Sequence, residues 1–543
     1  MMREEEVERI RGVVRDCVSK HLYSSAIFFA DKVAAATGDP ADIYMQAQAL
    51  FLGRQYHRAH HLLNSSPVLL QDLRFRYLAA KCLEELKDWH RCLMMLGDAK
   101  VDEHGNVHAQ TDNSAMYLDK DGENHEINQI TAAICFLRGK AYEALENRAQ
   151  ARLWYKAAVK ADPLCYEALE CLVDNYMLTC EEESRLLSSL QFGKDDRWLS
   201  TFYSCLIKKH DKEQVVEEKF RELERETSAS APSDSSFGRT LRNNADLLAC
   251  KAEYYHQCGE YHKCFELTSA LLERDPFHSK CTLVYLAAAV ELGRSNDIYM
   301  MACNLVKDYP QKALSWFAVG CYYYCIKKYD QARRYFCKST SVDGTFAPAW
   351  IGTGNAYAAQ EESDQAMSAF RTAARLFPGC HLPALYMGME YMRTHNFKLA
   401  EQFFLQAKAV CPSDPFVYNE LGVVAYHMKE YQKAVLWFEM TLDHVASSLS
   451  ELWEPTLVNL AHAQRKLKRY HKAISYYEKA LTLSTRNLSA FAGLAYTYHL
   501  QDNFDAAITY YHKALWLKPD DQFCTEMLTF ALEDECRGTN RRK

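Results

Sequence analysis

Three groups of residues have the types and spacing that chemistry requires. Gly352-Thr353-Gly354 begins a run of small residues, and a phosphate-cradling turn needs just such an open backbone. His57, His60 and His61 stand at i, i+3 and i+4, which lines three imidazoles along one helix face as metal ligands would be. Twenty cysteines are enough for several disulfides or zinc sites. Each reading weakens on inspection. A phosphate loop follows a strand and occurs once per site, whereas Gly354 has counterparts at Gly320, Gly388 and Gly422, each 34 residues on, inside helical sequence. No carboxylate or cysteine is positioned to complete a set with the histidines, which read as structural. No C-x-x-C pair occurs, and Cys264, Cys303, Cys321, Cys325 and Cys337 fall on apolar helical faces, where a reduced cysteine acts as a small hydrophobe. G-x-S-x-G, H-E-x-x-H and G-x-x-x-x-G-K-[ST] are all absent. The chain therefore reads as non-catalytic, with no metal and no cofactor.

Composition narrows the class. The 543 residues are 48% hydrophobic and 25% charged, in the range of folded soluble proteins. The net charge of −7 offers no basic excess for phosphates, which disfavours nucleic acid as a partner. The basic run Arg465-Lys466-x-Lys468-Arg469 reads as a solvated turn, open to an acidic partner. The charged start MMREEEVERIRGVVRD lacks the apolar core of a secretory signal. Uncharged stretches such as 313–326 fall short of the roughly 18 apolar residues of a membrane helix. A protein of nucleus and cytoplasm, without membrane contact, is the expectation. Glycine (20) and proline (13) are scarce while tyrosine (34) is plentiful, which argues against a turn-rich β fold.

The glycine step is shared by other positions. Ala332, Ala366, Ala400 and Ala434 keep it, as do Phe336, Phe370, Phe404 and Phe438, and prolines stand at Pro276, Pro310, Pro378 and Pro412. A period of 34 with W-x2-L-G-x2-Y, then A-x3-F, then P is the tetratricopeptide (TPR) pattern, which Trp316-x2-Val319-Gly320-x2-Tyr323 follows. The small residues allow two helices to approach closely, the aromatic ones fill the space left, and the proline stops the second helix. The expected fold is an all-α TPR α-solenoid, a right-handed superhelix of helix-turn-helix repeats. Eight repeats and a capping helix are expected over 241–536, with a basic tail at 537–543. Five extra residues fall near HVASSLSELWEP, because Ala434 and Ala473 are 39 apart. The first third, 1–192, reads as a divergent TPR array: Tyr23/Ala26, Tyr56/Ala59 and Trp89/Cys92 repeat at 33 residues, and Gly139-x2-Tyr142 opens another copy. A polar insertion at 98–130 reads as a surface loop. Residues 193–240 read as a helical connection and a flexible Ser/Pro/Ala-rich linker.

AWIGTGNAYAAQEESDQAMSAFRTAARLFPGCHLPALYMGMEY, FVYNELGVVAYHMKEYQKAVLWF and WEPTLVNLAHAQRKLKRYHKAI resemble the cell-division-cycle-16-type family, subunit 6 of the anaphase-promoting complex. The likeness is strong over about 245–530 and includes the HVASSLSELWEP insertion. It implies a non-catalytic scaffold of a ubiquitin ligase acting in mitotic progression and exit. It also implies self-association into a homodimer through the N-terminal repeats, stacking against related TPR subunits, and a small subunit's N-terminal segment held in the C-terminal groove. Inward-facing first-helix positions in a TPR register supply Asn355, Leu385, Met389, Asn419, Tyr426, His462 and Tyr496 as the expected peptide groove. The amides suit a ligand's backbone, and the aromatic and thioether surface suits an apolar anchor. On fold alone, a generic TPR adaptor remains the alternative, either chaperone-binding or part of a transport particle. The groove lacks the lysines of a carboxylate clamp.

Overall fold

The computed structural model describes residues 3–69, 71–109, 124–193, 196–207, 216–223, 241–445 and 450–541. Outside them lie 110–123 of the expected polar insertion, most of the Ser/Pro/Ala-rich connection, 446–449 and the last two residues of the basic tail. The chain divides into two compact units, 1–178 with 185–193 and 179–184 with 194–543.

In the first unit helices pair in sequence: Glu4–Ser19 with Tyr23–Thr37, Pro40–Leu52 with Tyr56–Ser65, Leu73–Glu85 with Trp89–Leu96, and Asn124–Ala144 with Arg148–Ala161. Local chemistry sets their starts. Asp39 accepts from the Ala41 amide with Pro40 at the first helical position, and Asp72 accepts from the Arg74 amide, satisfying donors that a helix start leaves open. The polar insertion is not all loop. Ala99–Val101 and Val107–Ala109 pair as an antiparallel ribbon, because Asp102 accepts from the Asn106 amide at 2.7 Å and Gly105 takes φ +80° to close the turn.

In the second unit eight helix pairs follow one another among the described residues, from Ala245–Gln257 with Tyr261–Arg274 to Leu488–His499 with Phe504–Leu517, and Gln522–Arg541 packs on the last. In most pairs a left-handed residue turns the chain between the helices. Lys327, Glu361, His395, Lys429 and Lys468 hold φ of +61° to +66°, a conformation costing about 1 kcal/mol without glycine. The bond from the Lys328 amide to the Tyr323 carbonyl, 2.9 Å, shows how each turn is fastened.

The packing rule inside a pair links residues i and i+16. A Cβ at Gly422 would lie 2.6 Å from Phe438 Cε1, and one at Gly354 would lie 2.6 Å from Phe370 Cδ1. Gly320 meets Phe336 and Gly388 meets Phe404 in the same way. Ala332, Ala366, Ala400 and Ala434 are wholly buried beside these rings. Gly352 makes a different contact, since a Cβ there would lie 3.2 Å from Phe336, the ring of the preceding pair. The two glycines of Gly352-Thr353-Gly354 thus receive two successive aromatic rings.

Candidate peptide groove

The expected groove residues differ in what surrounds them. Leu385 is a correction. It is 6% exposed and packs among Ala400, Phe404, Val417 and Leu421, so an apolar side chain at this inward position sinks between repeats instead of facing the groove. Met389 is 43% exposed and offers its thioether to solvent. Asn355 donates to the Tyr386 hydroxyl oxygen. Asn419 donates to Glu420 Oε1 at 3.0 Å and accepts from Thr456 Oγ1 at 2.9 Å. One amide proton and one lone pair of Asn419 are thereby occupied inside the protein.

Tyr426, His462 and Tyr496 converge on Arg465, a half-buried member of the basic run expected to form a solvated turn. Its guanidinium lies 4.8 Å from the Tyr496 ring centre, within cation–π range, and its charge is felt at Tyr426 and His462. His462 Nδ1 lies 2.5 Å from the Tyr477 hydroxyl. Burial, reinforced by Arg465 and Lys466, pushes the His462 pKa down to about 4. His462 is therefore neutral at physiological pH and serves Tyr477. Tyr496 also meets Phe523 of the capping helix edge-on at 6.0 Å.

A second cluster forms on earlier repeats. Tyr261, Tyr324 and Tyr386 each feel the Glu291 carboxyl, and Tyr261 and Tyr324 also feel the Tyr386 hydroxyl. Burial raises all three tyrosines and Glu291, which keeps the hydroxyls as neutral donors. Tyr386 stacks on Phe370 at 5.5 Å. Tyr261 begins the second helix of one pair and Tyr386 lies within the first helix of a much later pair, so the array brings distant repeats together around its interior. These tyrosines occupy different places within their repeats, and a fixed register does not collect them. The array thus carries one cluster of tyrosines around Glu291 and another group of aromatic rings around Arg465.

The other candidate chemistry dissolves. His57 and His61 are exposed while His60 is half-buried, its pKa lowered by burial, and among the described residues no group of three His, Cys, Asp or Glu is placed to hold a metal ion. The twenty cysteines are all thiols, none joined in a disulfide. Cys264 and Cys321 are buried, but Cys303 and Cys337 are exposed, contrary to the expectation of an apolar setting for every one. Among the described residues no helix is long and apolar enough to cross a membrane.

Family models and relatives agree with the fold. Three models described as tetratricopeptide repeat match residues 132–163, 455–485 and 490–525, one segment each. The model described as anaphase-promoting complex, cyclosome, subunit 3 matches 19–99. The chain is 75% identical to anaphase-promoting complex subunit 6 of Arabidopsis thaliana, over 99% of this chain and 98% of that one. It is 39% identical to the cell division cycle protein 16 homolog of Homo sapiens, over 97% of this chain and 84% of that one. Among solved structures it is similar to the APC/C hetero-tetramer Cut9-Hcn1, at a TM-score of 0.74 and 33% identity, covering 97% of this chain and 96% of that one. The chain belongs to the subunit 6 (Cdc16/Cut9) family of TPR subunits of the anaphase-promoting complex.

Proposed function

We propose that the chain is a non-catalytic scaffold of the anaphase-promoting complex in nucleus and cytoplasm, self-associating through its N-terminal unit and holding a small Hcn1-like subunit in its C-terminal groove. The observation that carries this reading is the likeness, over 97% of the chain, to a protein crystallised as the Cut9-Hcn1 hetero-tetramer. Two copies of each partner make four chains, and a homodimer of the large one is the simplest arrangement of that kind.

The residues are consistent with both contacts. In the N-terminal unit Ile27, Phe29 and Met45 pack on their own core, as do Ile43 and Tyr44, so they are occupied. Phe28 is 58% exposed, with Phe29 edge-on at 5.4 Å and Lys32 above the ring, and is the apolar side chain of that stretch left to a partner. In the groove, Arg465, Tyr426, Tyr496 and Met389 offer anchoring surface. Related TPR subunits remain the expected stacking neighbours.

The test is co-expression of the full chain with an Hcn1-like subunit, followed by mass determination by light scattering. A 2:2 assembly is expected, reduced to 1:1 by Phe28→Asp. A monomeric full chain at micromolar concentration, or failure to copurify the small subunit, overturns the respective half of the reading.

A further inference from the structure

The insertion that takes the seventh pair out of the 34-residue step makes a contact that repeat arrays ordinarily lack. Glu451–Trp453 forms a short 3-10 turn. Its Trp453 is 2% exposed and packs against Phe416 with ring centres 4.9 Å apart. From that anchored base the chain touches the other end of the array. Ser450 Oγ donates to the Cys258 carbonyl at 3.4 Å, across 192 residues of sequence, and Leu452 lies over Gly259. In a solenoid each repeat touches only its neighbours, so a contact from the start of the seventh pair to the turn of the first is additional to the repeat design.

Gly259 is what admits it. A Cβ there would lie 2.7 Å from Leu452 Cδ2 and 3.2 Å from both Leu452 Cβ and Ser450 Oγ. Its φ of +79° does not by itself account for the glycine, because the corresponding turns carry Lys327, Glu361, His395, Lys429 and Lys468 at positive φ. Gly293, in the next turn along, would meet nothing within 4 Å. The missing side chain matters at Gly259 and not at Gly293.

We infer that Ser450–Trp453 is an intramolecular clasp, seated on the Cys258–Gly259 turn, that joins the first pair to the seventh and closes the intervening pairs into a ring. A solenoid held only by neighbour contacts opens and closes like a spring. One fastened across a full turn keeps its interior at a fixed width, and its two fastened ends lose or gain order together. A peptide inside the ring enters or leaves by a free end, or waits for the clasp to open. That last consequence rests on the groove reading above; the clasp itself does not.

The experiment uses three variants of the full chain. Leu452→Ser removes the seated side chain. Gly259→Asn places a Cβ where Leu452 sits while tolerating the left-handed backbone. Gly293→Asn makes the same backbone change in open space and serves as control. In native-state hydrogen exchange, amides of 255–262 and of 450–456 should both exchange about tenfold faster in Leu452→Ser and in Gly259→Asn. Gly293→Asn should leave both segments as in the wild type. Unchanged exchange at 255–262 in Leu452→Ser overturns the clasp, and so does a Gly259→Asn pattern confined to its own turn. With a synthetic peptide of the Hcn1 N-terminal sequence as probe, dissociation should be several-fold faster in both clasp variants. Equal dissociation rates would overturn the threading consequence. A peptide that does not bind the wild type would remove the groove reading and leave the clasp to the exchange result.

Discussion

The two units use one packing position in different ways. At i and i+16 within a helix pair the N-terminal unit places Val14 with Ala30, Ala47 with Leu63, Ala80 with Leu96 and Gly139 with Tyr155, all drawn from its successive pairs. The C-terminal array continues with Ala252/Thr268, Leu286/Ala302, four Gly/Phe pairs, Ala461/Tyr477 and Ala495/Tyr511. When one member is large the other is small, because the space between two closely packed helices admits little change in volume. The array favours the extreme form, glycine against phenylalanine. The N-terminal unit makes up its packing with charge: Arg11 grips Asp42 through two 2.8 Å bonds, Lys81 and Lys140 meet Glu84 at 2.6 and 2.7 Å, and Tyr155 donates to Glu143 at 2.6 Å. Size complementarity is what the repeats share, and Gly/Phe is its most recognisable case.

Exchanging the two members of a pair tests that rule most severely. Phe404→Ala should cost the array about 3–5 kcal/mol through the cavity left in a fully buried site. Gly388→Leu should cost about 1–3 kcal/mol by overpacking. The double variant imitates Leu286/Ala302 and should be more stable than the sum of the two losses by at least about 2 kcal/mol. Urea unfolding of the four proteins measures the coupling, and simple additivity would sink the rule. In the N-terminal unit the corresponding weak point is electrostatic. Arg11→Ala should cost about 2–3 kcal/mol, less than for a fully buried pair, because 27% of the Arg11 side chain is in water while only 3% of Asp42 is. The hydrogen bond from Arg11 holds the Asp42 carboxyl below its ordinary value. Its contribution is therefore complete above the unfolded pKa of about 4 and fades as pH falls through the folded one. The first urea transition of the full chain, at pH 7 and pH 3, should show the Arg11→Ala deficit shrinking in acid.

The array has two histidines that respond to pH in opposite senses. Burial holds His462 near pKa 4, so the unfolded chain takes up a proton below about 6.5 that the folded site refuses, and stability falls between those values. Burial works against charge on His381 too, but the 2.7 Å bond to Asp414 and its charge outweigh this and raise the pKa. That contribution is complete below the unfolded pKa and is lost as pH rises through the folded value. Between pH 7 and pH 5, His462→Gln should recover roughly 1 kcal/mol of the acid loss. His381→Gln should enlarge the acid loss. Melting curves at the two pH values decide between these signs.

The solenoid and its glue were legible because Gly320, Gly354, Gly388 and Gly422 repeat with their phenylalanines in strict step. The looser pairs were harder to read because Ala47/Leu63 and Leu286/Ala302 keep the volume without keeping the letters. The groove was legible only in part. A register locates a backbone position, but the neighbours decide which way a side chain goes. Leu385 left the groove for the core, and Asn419, in the same place one repeat later, stayed half-buried because Glu420 and Thr456 satisfy it. Arg465 was hidden in a basic run, and only the fold sets it beside Tyr496. The Ala99–Ala109 ribbon was hidden in polar sequence too short to show an alternating pattern.

The smallest expected effect separates the two kinds of groove residue. Tyr426 is half-buried, packs edge-on against Tyr431 at 5.4 Å and feels the charge of Arg465. Tyr426→Ala should weaken Hcn1-peptide binding by roughly 1 kcal/mol, as expected of an aromatic anchor. Asn419 has already committed its amide to Glu420 and Thr456, so Asn419→Ala should change affinity by less than about 0.5 kcal/mol. It should instead lower stability by about 1 kcal/mol, because burial keeps the Glu420 carboxyl raised and Thr456 loses its acceptor. Calorimetry on the two variants, with melting curves alongside, distinguishes a contact with the ligand from a contact within the wall. An affinity loss for Asn419→Ala equal to that of Tyr426→Ala would mean that the remaining proton and lone pair of Asn419 do reach the bound peptide.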